Sequence, residues 1–387
     1  MAEAYIVESL RTAGGRARKG GLIDVHPADL GATILNALVD RTGIDPAEIE
    51  DVIVGCVSQA GEQAFAFGRN LVLASRLPDS VPAVTIDRQC GSSQQALHFA
   101  AQAIMSGTQD MIIAAGAESM TRVPMGSNYT LHGQAGLGVG PWPKSIQNRY
   151  GVAEFSQFHG AQAIADKYGF SREDMDTYAL ASHAKAAAAI DSGAFKAEIV
   201  PVETPEGTFD TDDGVRRGGT IEAMAAVKTL EEGGTITAAN ASQTTDGASG
   251  ALVVSEAALK RFNLTPVARV HTLAVTAGDP VIMLEEPIPA TRKALARAGM
   301  KLDDIDLFEV NEAFAAIPMA WLTALGADSA KLNVNGGAIA LGHPLGASGT
   351  KLMATLVHAL KARGKRWGLQ TMCEGGGIAN ATIIEAL

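Results

Sequence analysis

The chain has 387 residues, 47% of them hydrophobic and 19% charged, a composition typical of a soluble globular protein with two or three domain-sized units. Its 42 acidic and 31 basic residues give a formal net charge of −11, which argues against a nucleic-acid partner but leaves room for a local patch that binds a small anion. Three cysteines without paired spacing argue against a disulfide framework and a zinc site. Neither a signal peptide nor a transmembrane run is evident, so we expect a cytoplasmic protein with no membrane partner.

The first elements along the chain alternate between apolar runs and amphipathic helices. A short strand at 5–8 precedes a helix at 29–41, and an apolar strand at 51–57 follows. Between them, Pro46 after Asp45 is typical of a helix start. Near-continuous apolar strands that alternate with helices indicate an α/β fold whose sheet is covered by helices.

Part of this order of elements recurs far downstream. The segment 295–310 repeats a helix end, a glycine, an acidic turn, an isoleucine and a strand. Its Gly299 and Ile305 match Gly43 and Ile49 at one constant offset. A repeat at this scale predicts that the second part of the chain folds like the first.

A second pair of segments, 81–116 and 332–376, shares the order strand, tight turn, helix and strand. Two halves with one order of elements imply a duplicated α/β unit, each half with its own largely buried sheet. We therefore expect an N-terminal half formed by 1–118 together with 235–262, and a C-terminal half formed by 263–387.

Residues 119–234 differ in character and are expected to form an inserted loop domain that covers the ligand site. Helices are predicted at 154–168 and 172–191, the second with Ser171 as N-cap and Asp174 as the acidic third residue. The chain then returns to the first half through a predicted strand and a predicted helix, at 236–242 and 248–254.

Three side chains are candidates for chemistry. Cys90 follows a strand and precedes a helix, where the positive end of the helix macrodipole lowers a thiol pKa and favours the thiolate. Cys373 ends the matching strand of the second half, and His343 lies in the glycine-rich run 333–349 just before a helix. Ligand sites in open α/β folds lie at the carboxyl ends of strands, so these groups are expected to meet between the halves. Taken alone, Cys90 could instead be a buried structural cysteine, and His343 could be a surface histidine in a turn.

Four motifs in order resemble those of the thiolase family of acyl-CoA acetyltransferases: RQCGSS at 88–93, NEAFA at 311–315, the whole run 333–349, and CEGGG at 373–377. The segment GTITAANAS at 234–242 is similar to the coenzyme A loop of that family. The resemblance spans nearly the whole chain. It implies a thiolase-like α/β fold of duplicated units, with layered helices and sheets and an inserted loop domain.

The resemblance also implies a role for each motif residue. Cys90 is the nucleophile that carries the acyl group as a thioester, and His343 is its base. Cys373 is the second acid and base, exchanging a proton with C2 of the acetyl unit or with the coenzyme A thiol. One oxyanion hole consists of His343 and a water held by Asn311, and the other of the backbone N–H groups of Cys90 and Gly375. No metal is required.

The ligands and partners follow from the same resemblance. Coenzyme A and acyl-CoA are substrates, and no cofactor is tightly bound. Ser242 matches the family position that hydrogen-bonds the pantetheine arm, while Arg217 and Thr220 are expected contacts of the nucleotide end. Ordinary loop residues are the alternative at all three positions. The family usually forms dimers or tetramers, so a homodimer or homotetramer is expected.

The segment 156–160, Ser-Gln-Phe-His-Gly, departs from the His-Met-Gly run of many acetoacetyl-specific thiolases. This bulkier lining favours a degradative 3-ketoacyl-CoA thiolase, including those acting on bulky or branched acyl chains, which yields acetyl-CoA and a shortened acyl-CoA. A biosynthetic acetoacetyl-CoA thiolase is the alternative. His159 is either a substrate contact or an exposed helix residue.

Three further functions remain open. A decarboxylating ketosynthase would pair its cysteine with two histidines, whereas here His343 is accompanied by Cys373. A non-catalytic acyl-CoA-binding or lipid-carrier protein would be expected to lack a catalytic group, and none is missing. A Cys-His hydrolase would turn over simple thioesters without coenzyme A. Acyl chain length, reaction direction and pathway cannot be read from the sequence.

Overall fold

The computed structural model describes residues 2–387. Its strands are β1 (Ala4–Thr12), β2 (Gly15–Arg16), β3 (Asp51–Gly55), β4 (Ala83–Ile86), β5 (Met111–Ser119), β6 (Ile199–Val200), β7 (Val202–Thr204), β8 (Gly207–Phe209), β9 (Thr245–Ser255), β10 (Ala268–Ala277), β11 (Leu307–Val310), β12 (Trp367–Glu374) and β13 (Ile378–Ala386). Its helices are α1 (Pro27–Thr42), α2 (Phe67–Ala74), α3 (Ser92–Ser106), α4 (Ser127–Gln134), α5 (Lys144–Tyr150), α6 (Gln157–Tyr168), α7 (Arg172–Asp191), α8 (Ile221–Ala225), α9 (Glu256–Phe262), α10 (Pro287–Ala298), α11 (Ala316–Leu325), α12 (Ala338–Leu341) and α13 (Ser348–Ala362). No helix among residues 2–387 is long and apolar enough to cross a membrane.

Both halves contribute to one continuous sheet of eleven strands. The first half supplies the order β4-β3-β5-β9-β1, and the second continues it as β10-β13-β12-β11. They join where β1 pairs antiparallel with β10, from Ala4 opposite Val270 to Ile6 opposite Ala268. The expectation of a separate sheet in each half is therefore wrong. Each half leaves one edge strand with free backbone groups, and the two edges satisfy each other.

The duplication itself is confirmed residue by residue. Helices α1 and α10 both end at a glycine in the left-handed region, Gly43 with φ 67° and Gly299 with φ 66°. The 3₁₀ turns Pro46–Glu48 and Leu302–Asp304 follow at the same offset, and β3 and β11 begin at that offset as well. The constant spacing seen in the sequence thus reflects two units with the same order of elements.

Helices α3 and α13 form the middle layer of the molecule. Their apolar side chains pack in one cluster with strands of both halves. Helices α1 and α2 cover the other face of the first-half strands, and α10 and α11 cover the second half. The first turns of the two central helices touch, since the Thr350 N–H donates to Ser93 Oγ at 3.0 Å. This contact brings the loops that precede α3 and α13 to one place.

The insertion between the halves is mostly helical. Helix α7 has the predicted bounds, with a capping box formed by Ser171 and Asp174. The predicted helix at 248–254 is wrong, because these residues lie within β9, between β1 and β5. A short apolar run buried on both faces has no periodicity that separates strand from helix. Residues 236–242 contain no regular strand but isolated bridges, one from Ala241 to Phe314.

Candidate active site

Cys90 lies in a tight loop between the end of β4 and the start of α3. Its neighbour Gln89 has a left-handed backbone with φ 48°. The Arg88 N–H donates to Ser92 Oγ at 2.9 Å, and the same hydroxyl donates to the Gln89 carbonyl at 2.6 Å. One serine after the nucleophile position therefore holds the two residues before it. The Cys90 side chain is left partly exposed.

The protonation of Cys90 differs from the sequence-based expectation. Burial raises the pKa of Cys90 to about 12, the Glu374 carboxyl adds to the rise, and the backbone N–H groups of Cys90 and Gly375 oppose it. The expected lowering by the α3 N-terminus is wrong for the free protein, because desolvation disfavours the thiolate by more than the helix end favours it. Cys90 therefore needs a base that takes its proton as it attacks.

Cys373 and Glu374 end β12 beside the nucleophile loop. Burial raises the pKa of Cys373 well above its usual value, and the Cys90 thiol is the next cause, which places the two sulfur atoms in one site. Glu374 is fully buried. A Cβ atom at Gly91 would lie 1.9 Å from its Oε1 atom, so only glycine fits there.

His343 follows α12 on a loop that two backbone contacts fix. Its N–H donates to the Gln243 carbonyl and to Thr245 Oγ1, both at 3.0 Å. Its Nδ1 atom lies 2.5 Å from Ser348 Oγ, and that hydroxyl donates to the Pro344 carbonyl at 2.8 Å. Because the serine proton is used, Nδ1 carries the imidazole proton and Nε2 keeps a free lone pair.

The charge state of His343 supports the same tautomer. Burial lowers the pKa of His343 to about 3, and the nearby Lys351 ammonium lowers it further. The imidazole is therefore neutral at physiological pH, with Nε2 as the acceptor. Leu345, two residues on, packs in the small cluster that Cys90 contacts. This packing brings the loop that carries His343 up to the nucleophile.

Asn311 faces the free nitrogen of His343 from the end of β11. Its Nδ2 atom lies 3.4 Å from His343 Nε2, and its backbone N–H donates to the Thr371 carbonyl on β12 at 3.1 Å. Its Oδ1 atom is buried and has no hydrogen-bond partner among residues 2–387. This amide therefore offers a free acceptor next to the histidine.

Glu312, which the sequence did not single out, anchors the surrounding loops. Its two oxygen atoms accept hydrogen bonds from four groups on three segments: Tyr178 Oη at 3.0 Å, Asn333 Nδ2 at 3.0 Å, Ser182 Oγ at 2.6 Å and the Ile339 N–H at 3.2 Å. A fully partnered buried carboxylate fixes its neighbours in position. Glu312 thereby holds the insertion against the glycine-rich run before His343.

Gly375 brings its N–H toward the Cys90 sulfur from the opposite side of the site. A Cβ atom at Gly375 would lie 2.9 Å from Gln89 Oε1, so a side chain would press on the nucleophile loop. Two backbone donors, those of Gly375 and of Cys90 itself, thus point at one spot. No group of three or more His, Cys, Asp and Glu in the described part of the chain is arranged to hold a metal ion.

The three expected coenzyme A contacts fall in different surroundings. Arg217 is exposed and pairs with Asp191 at 2.7 Å, and the Thr220 hydroxyl caps α8. A cleft beside them is lined instead by Arg216 together with Leu180, His183, Gly219, Met224, Ala238, Ala239, Gln243 and Ile339. Ser242 is half-buried next to this lining, and its N–H donates to the Ala313 carbonyl at 2.9 Å. None of the three expected contacts is among the residues that line the cleft, although Arg216, Gly219 and Gln243, their neighbours in the sequence, are.

The start of α6 contributes an aromatic contact. Phe158 packs edge-on against Phe314, with ring centroids 5.8 Å apart, and Phe314 belongs to the apolar cluster that contains Cys373. The side chain of His159 is exposed. Phe158, which the sequence analysis did not select, is therefore linked through Phe314 to the apolar cluster that contains Cys373.

Comparison with known families covers nearly the whole chain. Residues 4–257 match the thiolase N-terminal domain, and residues 264–386 match the thiolase C-terminal domain.

Individual relatives agree with this assignment. The chain is 53% identical to the steroid 3-ketoacyl-CoA thiolase FadA6 of Mycobacterium tuberculosis, over 100% of this chain and 95% of that protein. It is 40% identical to the 3-ketoacyl-CoA thiolase of Bacillus subtilis, with both chains fully covered. The crystal structure of the Bacillus anthracis acetyl-CoA acetyltransferase superimposes with a TM-score of 0.91 at 36% identity, over 100% of this chain and 99% of that one. The chain therefore belongs to the thiolase family of acyltransferase enzymes.

Proposed function

We propose that the chain is a degradative thiolase, which cleaves 3-ketoacyl-CoA with coenzyme A into acetyl-CoA and a shortened acyl-CoA. The proposal rests on the grouping of Cys90 with Cys373 and the Gly375 N–H, with a neutral His343 backed by Asn311 as the expected base. Two curated relatives named as 3-ketoacyl-CoA thiolases support this direction. A biosynthetic acetoacetyl-CoA thiolase with the same site is the less favoured function.

In the first step, Cys90 attacks the C3 carbonyl of the substrate while His343 Nε2 takes the thiol proton. The tetrahedral alkoxide collapses, the C2–C3 bond breaks, and the acyl group stays on Cys90 as a thioester. The electron pair leaves as the enolate of acetyl-CoA. Cys373 protonates this enolate at C2 and becomes a thiolate.

In the second step, the Cys373 thiolate takes the proton of an incoming coenzyme A thiol. The coenzyme A sulfur attacks the thioester, and the Cys90 sulfur leaves and recovers its proton from the His343 imidazolium. The shortened acyl-CoA is released, and every group returns to its starting state. The elevated pKa of Cys90 fits this cycle, because the thiolate forms only as its proton passes to His343.

Negative oxygen develops in both steps and needs donors already in place. The imidazolium N–H at Nε2, with Asn311 beside it, serves one oxygen. The backbone N–H groups of Cys90 and Gly375 serve the other. Two oxyanion holes suit a reaction that passes through both a tetrahedral alkoxide and an enolate.

Coenzyme A binds along the cleft beside 234–242. Ser242 contacts the pantetheine arm, and Arg216 takes the place expected of Arg217, because Arg216 lines the cleft while Arg217 is held by Asp191. Thr220 lies at the edge of the same cleft, next to Gly219. No cofactor is tightly bound, since coenzyme A itself is the substrate.

The acyl chain is bulky. Phe158 and Phe314 present an aromatic pair near Cys373, and one relative named above is a steroid 3-ketoacyl-CoA thiolase. Aromatic faces suit flat, apolar ring systems or branched chains better than a two-carbon unit. His159 lies outside this lining.

The enzyme works as a homodimer or homotetramer in the cytoplasm. Strand β4 is an edge of the sheet with Val84 exposed, and Phe65, just before the helix α2 that packs on β4, is 91% exposed, so another copy of the chain has an apolar edge to cover. A reducing compartment keeps the two reactive thiols, Cys90 and Cys373, free.

Intact mass tests the proposal. The protein is mixed with short, long, branched and cyclic 3-ketoacyl-CoA substrates, with Cys90→Ser as the control. We expect an adduct of one acyl group, absent in the variant and discharged by free coenzyme A, largest for bulky chains. Absence of an adduct from every substrate, with coenzyme A still bound, would refute the catalytic function and favour an acyl-CoA-binding protein.

A further inference from the structure

A cluster of buried charged side chains lies behind the His343 loop and takes no part in the steps above. It joins both halves and the insertion at one point. Its members are Arg11 on β1, Glu198 and Asp212 in the insertion, Glu309 on β11 and Lys351 on α13.

Arg11 forms the centre of this cluster with two carboxylates. Its Nε atom lies 2.5 Å from Glu198 Oε1, and its Nη1 and Nη2 atoms reach the two oxygens of Asp212 at 2.8 and 3.0 Å. All three side chains are fully out of solvent. One cation against two anions leaves one negative charge in excess, and a buried charge needs a counter-charge.

Lys351 supplies that counter-charge. Its ammonium group is buried, donates to the Gly342 carbonyl at 3.2 Å, and makes no direct ion pair with any residue in 2–387. Burial lowers the pKa of Lys351 to about 8, with the carboxylates of Asp212 and Glu198 opposing the change, so it is mostly charged at neutral pH. Burial and the charge of Glu312 raise the pKa of Glu309 well above its usual value, so Glu309 adds little charge.

The contact to Gly342 connects this charge to the active site. Gly342 has φ 81°, and a Cβ atom there would lie 2.2 Å from Thr245 Oγ1, so a residue with a side chain would strain the backbone at this position. Its peptide bond leads directly to His343. A positive charge held at this position disfavours a second positive charge on the imidazole, and Glu198 and Asp212 offset only part of it because neither forms an ion pair with Lys351.

We propose that Lys351 is a positioning residue that fixes the His343 loop through the Gly342 carbonyl and keeps the imidazole neutral and ready to accept the Cys90 proton. The inference rests on the proposed role of His343 as base. It adds an electrostatic function to a lysine that touches neither substrate nor thiol.

The test compares three variants by their pH profiles of kcat/KM. Lys351→Met removes the charge and the donor, and Lys351→Arg restores both. Lys185→Met is the matched control, since its ammonium also donates to a backbone carbonyl, that of Leu332 at 2.9 Å, but away from His343. The other titratable groups around the site are unchanged in all three: Arg11, Glu198, Asp212, Glu309, Glu374, Asp87, Cys90 and Cys373.

In Lys351→Met we expect the acidic limb of the profile to move up by about one pH unit, because an imidazole freed from a neighbouring cation protonates more easily. The value of kcat should fall while KM changes little. The arginine variant should keep the original limb, and Lys185→Met should not move it.

An unshifted acidic limb in Lys351→Met, or an equal shift in Lys185→Met, overturns the inference. Should Lys351→Met fail to fold, the double variant Lys351→Met with Glu198→Gln removes one charge of each sign, and a smaller shift in the same direction is expected of it. Acylation of the unmodified protein distinguishes a failure of the proposed function from a failure of the role proposed for Lys351. No adduct there means that the proposed function fails, whereas a normal adduct with an unshifted profile refutes Lys351 alone.

Discussion

The Nδ1 atom of His343 lies 2.5 Å from Ser348 Oγ, and the Ser348 hydroxyl donates its own proton to the Pro344 carbonyl in a hydrogen bond. This relay fixes the imidazole tautomer. The lone pair of Nε2 then points toward Asn311 and the reaction site. A third group usually orients the base of a Cys-His pair. Here that group is Ser348, the first residue of α13.

Ser348→Ala is expected to lower kcat by about tenfold or more, since a buried hydrogen bond that selects the tautomer is lost. KM should change little, because Ser348 does not line the coenzyme A cleft. Steady-state kinetics of thiolysis measure both values. Ser106→Ala is the control, because its hydroxyl also donates to a backbone carbonyl, at an exposed helix end. Equal kinetics for the two variants would contradict the assignment.

The three cysteines allow a matched comparison. Cys373→Ser should reduce kcat by a factor on the order of 10² to 10⁴, the usual loss when a general acid is replaced. The variant should still accept an acyl group on Cys90, as intact mass would show. Cys56 is equally buried but contacts Gln63, so Cys56→Ala should retain activity. A kcat of Cys373→Ser within about threefold of that of the unmodified protein would show that Cys373 is not the general acid, because loss of a general acid costs much more than this.

Arg216 and Arg217 are adjacent but face different surroundings. Arg216→Gln should raise the KM for coenzyme A by about tenfold, the loss expected for one charge-assisted hydrogen bond. Arg217→Gln removes only an exposed ion pair with Asp191 and should leave KM within about twofold. Initial rates measured at varied coenzyme A and a fixed concentration of the ketoacyl substrate give the KM of each variant. The reverse order of effects would restore the assignment made from the sequence.

His98 predicts a specific pH dependence of stability. Burial lowers the pKa of His98 to about 3, and an unfolded histidine titrates near pH 6.5, at about its model value. As the pH falls below the unfolded value, the unfolded chain binds a proton that the folded one refuses, so stability decreases toward acid pH. His98→Gln should flatten this slope by at most about 1.4 kcal/mol per pH unit.

Urea unfolding between about pH 5 and pH 7 measures that slope. The exposed His132 on α4 provides the control, because His132→Gln should leave the slope unchanged. A His98→Gln variant with the original slope would mean that this histidine is protonated in the folded protein.

Several features follow from the sequence alone because they depend on local spacing. The constant offset between Gly43 and Gly299 revealed the duplication, since a helix end, a turn and a strand are each set by neighbouring residues. The motif around Cys90 and the glycine-rich run at 333–349 indicated the family. The N-cap at Ser171 was correct because a capping box is contained within four residues.

Only the tertiary structure decided the features that depend on contacts between distant segments of the chain. The pairing of β1 with β10, the position of Arg216 in the cleft lining while Arg217 pairs with Asp191, and the strand at 248–254 depend on what lies opposite each segment in space. The raised pKa of Cys90 has the same origin, because burial by distant segments outweighs the local helix end. Sequence determines which groups are present and how they are spaced along the chain, whereas desolvation and long-range charge exist only once the chain has folded.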